Sequence, residues 1–497
     1  MSSQAQRTIL RATSIMGGAA AANVIIGVAR TKAAALILGP AGVGLVGLFH
    51  NLIQTAGTVA GFGIGNVGTR QVAEAGDDAA AQAVARTAMV AAAVVLALLG
   101  GVVLLALRRQ IATSVLGDAK WAYAVGWLSL GAAALVGSAA LNGILMGLRQ
   151  MGALARASIL SALLGTGAGV AALLVWGQHG ILPYVLLSPL AALLASAWFV
   201  RRTPLPRAGF QLSAMAPHWG MLGRLGLAFT IGSLAGTASQ LVVRSLLQRH
   251  LGADDLGQYQ AAVGISLNYI GFILMAMASD YYPRLTIAMR DPREAVSTIN
   301  HQAEVALLLA GPVLVGTVAL APVALHLLYS SKFLAAADLL RWQICGDFLK
   351  IAGWPLGFVL LAGGRGKTFV GVESIAGLVL VGATAALLPR FGVEAAGMAY
   401  VAMYLVYLGL VWILARRLVG FVFARGLRLV LASVGGALAV TLLALQWSER
   451  VGAAVGAGLA AALSVFAIRV LQDALPLPVT RLLARVPGLL RSQRATQ

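Results

Sequence analysis

The sequence predicts an all-α polytopic membrane protein: two six-helix lobes related by a parallel internal repeat, then a C-terminal two-helix hairpin, about fourteen transmembrane helices in all. Three observations predict this. Of 497 residues, 60% are hydrophobic and only 10% charged, with mean hydropathy +0.88, where soluble domains carry about 25% charged residues. Apolar runs of the length a bilayer needs, about 20 residues, fill almost the whole chain. And the stretch Leu38-Gly39-Pro40-Ala41-Gly42-Val43-Gly44 is echoed by Leu251-Gly252-Ala253-Asp254-Asp255-Leu256-Gly257, at an offset of 213 residues.

The predicted spans are 12–35, 42–64, 84–107, 121–146, 155–176, 181–200, 222–248, 256–279, 301–328, 337–361, 368–389, 393–415, 427–446 and 451–471, divided by polar or Gly/Pro breaks. The first follows Arg7 and Arg11, as a signal peptide's apolar region would. It is too long for one and runs unbroken into the Lys32 helix, so it reads as a transmembrane helix. With the N-terminus inside, roughly 24 Lys and Arg fall on cytoplasmic segments and about 10 on outer ones, the bias membrane insertion favours. An even span count then puts both termini in the cytoplasm.

Each copy of the echoed turn follows a helix carrying cations, Arg30 and Lys32 in one and Arg244 and Arg249 in the other. Each also precedes a long helix ending in a polar, basic turn, Asn66-Val67-Gly68-Thr69-Arg70 or Asp280-Tyr281-Tyr282-Pro283-Arg284. An offset covering six spans keeps both halves in one orientation, the plan of a two-lobed secondary transporter. The expected parts are an N-terminal lobe (1–207), a C-terminal lobe (208–417), the extra helix pair (418–472) and a basic cytoplasmic tail (473–497).

Composition also excludes functions. The net charge of +20 would suggest nucleic acid in a soluble protein; here cytoplasmic loops account for it, and no nucleic-acid partner is expected. One cysteine, Cys345, allows no intrachain disulfide, the scattered histidines give no metal-ligand spacing, and no cofactor is expected. Gly363-Gly364-Arg365-Gly366-Lys367-Thr368 lacks the spacing of a phosphate-binding loop and follows no strand, so ATP is not the energy source. The short outer loops leave no room for a glycosyltransferase or polymerase centre, and no enzyme is predicted.

The candidate site residues are those hydrocarbon tolerates poorly, since a charge at membrane depth costs on the order of 2.5–3.5 kcal/mol by insertion scales. In the first lobe these are Arg30, Lys32 and Arg70, with His50, Asn51, Gln54 and Asn66 as polar neighbours. In the second they are Arg244, Arg249, Asp280, Glu304, Arg341, Asp347, Lys350 and Glu373, with Gln240, Trp342 and Gln343. Asp347 and Lys350, three residues apart, share one helix face and can also pair with each other. Snorkelling to the interface is the alternative role for Arg30, Lys32 and Arg244. Guanidinium groups bind phosphate through paired hydrogen bonds and ammonium groups as point charges, so a cavity holding both favours a phosphorylated amphiphile over a cationic drug. Asp280, Glu304 and Asp347 are the candidate carriers of a coupling H+ or Na+, because buried carboxylates can titrate near cellular pH.

The turn Leu38–Gly44 after a lysine-bearing helix, Val243-Arg244-Ser245-Leu246-Leu247, Ser330-Ser331-Lys332-Phe333 and the stretch Asp338-Leu339-Leu340-Arg341-Trp342-Gln343-Ile344-Cys345-Gly346-Asp347-Phe348-Leu349-Lys350 carry a resemblance. Together they resemble the polysaccharide transporters, or O-antigen translocases, of the multidrug/oligosaccharidyl-lipid/polysaccharide exporter superfamily, over residues 7–417. The resemblance implies a V-shaped, twelve-helix transporter in the bacterial cytoplasmic membrane that flips undecaprenyl-pyrophosphate-linked oligosaccharide to the periplasmic leaflet. It implies Lys32, Arg244 and Lys350 for the anionic head, with Asp347 as their partner, and coupling to H+ or Na+. Asn51, Gln54, Gln240, Trp342 and Gln343 are then expected to contact sugars. Two features depart from the pattern: the extra helix pair, which could meet a polymerase or glycosyltransferase, and Arg341, which stands where the resembled stretch is apolar. A lipid II flippase and a drug antiporter are the alternatives, the latter requiring an acidic cavity.

Overall fold

In the computed structural model the described residues are 3–76, 78–204 and 212–471, with the side chains of 3–15, 228, 232, 235, 268–270, 272–273, 275–276 and 278–280 outside the description. The expected tail (473–497) and the Asp280 carboxylate therefore lie outside the described residues. The helices in order are α1 (Ser3–Gly61), α2 (Ile64–Glu74), α3 (Ala79–Ala106), α4 (Arg108–Ile111), α5 (Ala122–Gly147), α6 (Met151–Trp176), α7 (Ile181–Arg201) and α8 (Leu212–His250). There follow α9 (Ala253–Ala288), α10 (Pro292–Ala319), α11 (Ala321–Leu328), α12 (Ala337–Ala362), α13 (Gly366–Phe391), α14 (Glu394–Val419), α15 (Arg425–Trp447) and α16 (Glu449–Leu471). The protein is all-helical among the described residues.

The local sequence explains the breaks. α1 runs through two predicted spans but is kinked at Gly39, whose φ of 66° and ψ of −170° only glycine adopts freely. Pro40 then has no N–H to give the preceding turn, and its ring would crowd that turn. Asp78 caps α3 by accepting from the N–H groups of Ala80 and Ala81, and Asp291 does the same for α10, accepting from Arg293 beside Pro292 at the first helical position.

Ten helical segments among the described residues are long and apolar enough to cross a membrane, or eleven if the bent α8 counts as one. Two of them, Met16–Gly61 and Met151–Arg201, have 46 and 51 residues, about twice what one crossing needs. The apolar faces are not hidden by protein: Leu98 and Val102 on α3 and Leu378 on α13 are 65%, 63% and 72% exposed. Water would not tolerate so large an apolar surface. Bilayer hydrocarbon does, and the protein is a multi-pass membrane protein.

Backbone packing divides the chain into two units, residues 1–260 with 328–333, and 261–327 with 334–497. In the first unit the core is small and aliphatic, with Val67, Val72, Ala85, Ala88, Met89, Ala140, Ile144 and Leu145 buried together. The two echoed turns also meet inside this unit. A β-carbon on Gly44 would strike the Ala253 carbonyl and lie 2.8 Å from the Gly257 nitrogen, while one on Gly257 would strike the Pro40 carbonyl. At the offset of 213 residues Gly44 corresponds to Gly257 and Pro40 to Ala253, so the contact is reciprocal, as across a pseudo-two-fold axis. Gly39 and Gly252, also counterparts, both take positive φ, 66° and 94°. In the second unit α10 packs against α12, α15 and α16, so the C-terminal helix pair is part of that unit's core.

Candidate functional site

Two arginines in the first unit have no ion-pair partner among the described residues. On α1, Arg30 donates from Nη1 to Ser188 Oγ at 2.9 Å and from Nη2 to the Tyr184 carbonyl at 3.2 Å, its guanidinium carbon 4.6 Å from the centre of the Tyr184 ring. Tyr184 returns a hydrogen bond from its hydroxyl to the Arg30 carbonyl, 3.3 Å. On α8, Arg244 is only 5% exposed. Its Nε donates to Gln260 Oε1 at 2.9 Å, and Nη1 donates to the Gln240 carbonyl and Oε1 at 3.2 and 3.0 Å. The Tyr259 ring centre lies 5.5 Å from its guanidinium carbon.

Every one of these partners is neutral. Ion pairs elsewhere in the described residues join Arg70 to Glu74, Lys120 to Asp118, and Arg341 to Asp338 and Glu449; Arg30 and Arg244 pair with no carboxylate among them. Amides, hydroxyls and aromatic faces solvate a guanidinium and orient it but leave its charge uncancelled. His50, on the second half of α1, lies within electrostatic reach of both guanidiniums. It keeps accessible surface, although its neighbours Leu48, Phe49, Leu52 and Ile53 are buried. Gln54 Nε2 stands 3.4 Å from His50 Nε2, and the buried Asn51 Oδ1 has no partner among the described residues. Arg30, His50, Gln54 and Arg244 thus make one polar region with an excess of positive charge.

The close approach of α1 and α9 sets the Arg244 geometry. A β-carbon at Gly47 would overlap the side-chain amide of Gln260, so glycine there gives Gln260 room to lie across α1 and receive Arg244. Gly47 and Gln260 are again counterparts at the offset of 213. Tyr184, Ser188, Tyr259 and Gln260 are not among the residues the sequence singled out. They are ordinary polar side chains in apolar helices.

The other candidates are placed as follows. Lys32 is half-buried and engaged with its surroundings. Arg70 is exposed and pairs with Glu74 one turn along α2 at 2.6 Å. Arg249, also exposed, donates to the Ser114 carbonyl at 3.3 Å; with Ser245 bonded to the Ser114 and Val115 carbonyls at 3.1 and 3.0 Å, it fastens the end of α8 to the 112–116 segment. Arg341 bridges Asp338 on its own helix and Glu449 at the start of α16, both at 2.7 Å. Gln343 is buried. The Glu304 carboxylate lies at the N-terminal end of α15, 2.9 Å from where a β-carbon on Gly426 would sit, a position where the helix dipole favours an anion.

Asp347 and Lys350 belong to a second buried cluster, in the second unit. Asp347, fully buried, accepts from Ser266 Oγ at 2.6 Å and Tyr400 Oη at 3.0 Å. Lys350 Nζ lies 5.8 Å from the Tyr404 ring centre and interacts electrostatically with Asp347 and Glu373, while Tyr407 bonds Glu373. Here the positive charge has carboxylates around it.

This fold is the one shared by membrane transporters of the multidrug/oligosaccharidyl-lipid/polysaccharide exporter superfamily. It matches the lipid II flippase MurJ in an inward closed conformation at TM-score 0.69 and 12% identity, over 91% of this chain and 97% of that one. It also matches an inward-facing multidrug resistance MATE family transporter at TM-score 0.65 and 18% identity, over 80% and 94%. At the level of sequence, residues 10–289 match the polysaccharide biosynthesis protein family, and the chain belongs to it. Among curated proteins it is 28% identical over 400 residues to the lipid III flippase of Escherichia coli (strain K12), spanning 78% of this chain and 94% of that one. The lipid III flippase of Shigella flexneri matches at the same figures.

Proposed function

We propose that this protein is a flippase for undecaprenyl-pyrophosphate-linked oligosaccharide, moving it from the cytoplasmic to the periplasmic leaflet of the bacterial inner membrane by alternating access. The observation that carries the proposal is the pair Arg30 and Arg244, buried or half-buried in membrane helices and held by neutral groups alone. A charge in that setting is costly unless its counter-charge arrives with a ligand. A pyrophosphate supplies several acceptor oxygens for the two planar guanidiniums, and the lipid tail can stay in the bilayer throughout. Lys32 is proposed as a further contact to the head group, and Asn51, Gln54 and Gln240 as contacts to sugars. The 28% identity to lipid III flippases over 94% of their length supports this substrate class. The cationic character of the site argues against an antiporter for cationic drugs.

Two finer points belong to the same proposal. The lobes of the repeat, 1–207 and 208–417, are the bodies that rock about the site, with both termini cytoplasmic and fourteen crossings. Asp347, which two hydroxyls hold next to Lys350, is the favoured carboxylate for coupling to a proton or sodium gradient; Glu304 instead occupies a helix N-terminus.

The test is translocation in proteoliposomes of a fluorescent undecaprenyl-pyrophosphate glycan, with lipid II and an organic cation as competing cargoes. Movement of the glycan lipid, accelerated by an imposed ion gradient, supports the proposal. Movement of lipid II in preference would reassign the cargo, and efflux of the cation alone would sink the proposal.

A further inference from the structure

At one end of the first unit, α6 and α7 carry a cationic patch that the candidate site does not use. The two helices pack against each other, and the short 177–180 turn between them makes them antiparallel. Arg156, near the start of α6, and Arg201 and Arg202, at the end of α7, therefore lie at the same end of the pair. The α5–α6 turn is beside them: Thr203 Oγ1 lies 3.5 Å from Gln150 Oε1, and Arg149 belongs to that turn. All four arginines are exposed, and none forms an ion pair among the described residues.

Two of them lie against aromatic rings. The guanidinium carbon of Arg202 is 3.9 Å from the centre of the Trp198 ring, and that of Arg156 is 5.7 Å from the Phe199 ring centre. The two rings meet edge to face, 5.0 Å between centres, and Phe199 packs against the buried core of the unit. A ring beneath a guanidinium fixes its plane and leaves N–H groups along its edge, from which a phosphate takes paired hydrogen bonds. Arg156 gives Nε to the Gly152 carbonyl at 3.0 Å, which leaves both Nη groups for a ligand.

The surface that continues from the patch is apolar. On α7, Leu194, Trp198 and Arg202 recur every fourth residue and are all exposed, so they form one stripe along the helix. On α6 the exposed Leu163 and Leu164 lie about two turns from Arg156 on the same side. Cation, interfacial ring and leucine thus follow one another toward the hydrocarbon, the order in which a phospholipid presents phosphate, glycerol ester and acyl chain. A free anion would have no use for the leucines, and a nucleic acid or acidic protein could not reach them in the bilayer.

We propose that this patch is a binding site for an anionic glycerophospholipid, whose headgroup is held by Arg202 and Arg156 and whose acyl chains run along Leu194 and Leu163. A zwitterionic lipid offers the same phosphate but brings its own ammonium, which the unpaired arginines repel. The site stands apart from Arg30 and Arg244 and does not depend on the proposed cargo.

The experiment titrates delipidated full-length protein in detergent with phosphatidylglycerol or phosphatidylcholine and counts bound lipid by native mass spectrometry. Wild type is expected to hold one phosphatidylglycerol about tenfold more tightly than phosphatidylcholine, as charge-assisted hydrogen bonds would give. Arg156→Gln with Arg202→Gln should abolish that preference. Trp198→Leu keeps every charge and should cut it to about threefold, because Arg202 loses the ring that orients it. Arg365→Gln with Lys367→Gln removes two exposed cations from the α12–α13 turn, where no aromatic contact is made, and should bind as wild type does. If the double arginine variant fails to purify folded, Arg202→Gln alone should still weaken phosphatidylglycerol threefold or more. A wild type that binds both lipids equally, arginine variants that keep the preference, or a control that loses it as fully would overturn the site. Displacement of the bound phosphatidylglycerol by farnesyl pyrophosphate, a soluble pyrophosphate lipid, would assign these arginines to the cargo's path and overturn the phospholipid assignment.

Discussion

Arg341 is the cation that sequence reasoning offered to the substrate and the structure gives to the C-terminal helix pair. Its side chain is 10% exposed and bonds Asp338 and Glu449, whose side chains are 63% and 57% exposed. Glu449 contributes both oxygens, at 2.8 and 2.7 Å from Nη2, and so ties α12 to α16. Removing one partner of a fully buried pair costs about 3–5 kcal/mol. Here Glu449 is more than half exposed and Asp338 remains, so the loss in Glu449→Gln should be about 1–2 kcal/mol. Arg341→Met combined with Glu449→Leu removes both charges and should recover most of that loss, since replacing a buried pair with apolar groups is often neutral. The assay is thermal unfolding of wild type, Glu449→Gln, Arg341→Met and the double variant in one detergent, with farnesyl pyrophosphate affinity measured on each. The double variant should be more stable than either single one and should bind the pyrophosphate as wild type does. Additive destabilisation, or a double variant that loses pyrophosphate affinity, would refute the structural role assigned to Arg341.

Three further outcomes follow from the packing. Gly47→Val should displace Gln260 from Arg244 and weaken farnesyl pyrophosphate binding about threefold to tenfold although no charge is lost; unchanged affinity would mean Gln260 does not position the guanidinium. Gly257→Leu should destabilise the protein by at least about 1–3 kcal/mol, as overpacking does, because the Pro40 carbonyl occupies the space a side chain needs; thermal unfolding in detergent reads this directly, and a wild-type midpoint would contradict the contact between the repeated turns. Asp347→Asn keeps a side chain that Ser266 and Tyr400 can still reach, so it should fold and still flip substrate but lose its response to an ion gradient, and a retained response would move the coupling site elsewhere.

What the sequence made legible was whatever is local or periodic. Apolar length announced the helices and Gly39-Pro40 the break in α1; the echo at 213 residues announced a repeat, and that its two turns meet at Gly44 and Gly257 came from the structure. Arg30, Gln54, Arg244 and the polar Asn51 stood out because ionisable and amide groups are rare in such helices, and in the structure Gln54 lies beside His50, which both arginines influence. Their partners could not be read the same way. Ser188 and Tyr184 lie more than 150 residues from Arg30 and have no unusual chemistry of their own. Glu74 and Asp338, one helical turn from Arg70 and Arg341, are local partners; but only the fold shows that Arg30 is opposed by neutral groups, that Arg341 also meets Glu449 and that Arg249 meets a backbone carbonyl. The two buried clusters differ in the same way, since Lys350 has Asp347 and Glu373 for company and Arg244 has amides.

The central claim is that Arg30 and Arg244 are two uncancelled charges awaiting a pyrophosphate. The measurement that tests it most directly is the affinity of farnesyl pyrophosphate for wild type, Arg30→Gln, Arg244→Gln and the double variant, each at low and moderate salt. Each single change should weaken binding about tenfold to a hundredfold, as loss of charge-assisted hydrogen bonds does, and the double variant should lose both the binding and its dependence on salt. Wild-type affinity in the double variant would show that the anion is held elsewhere.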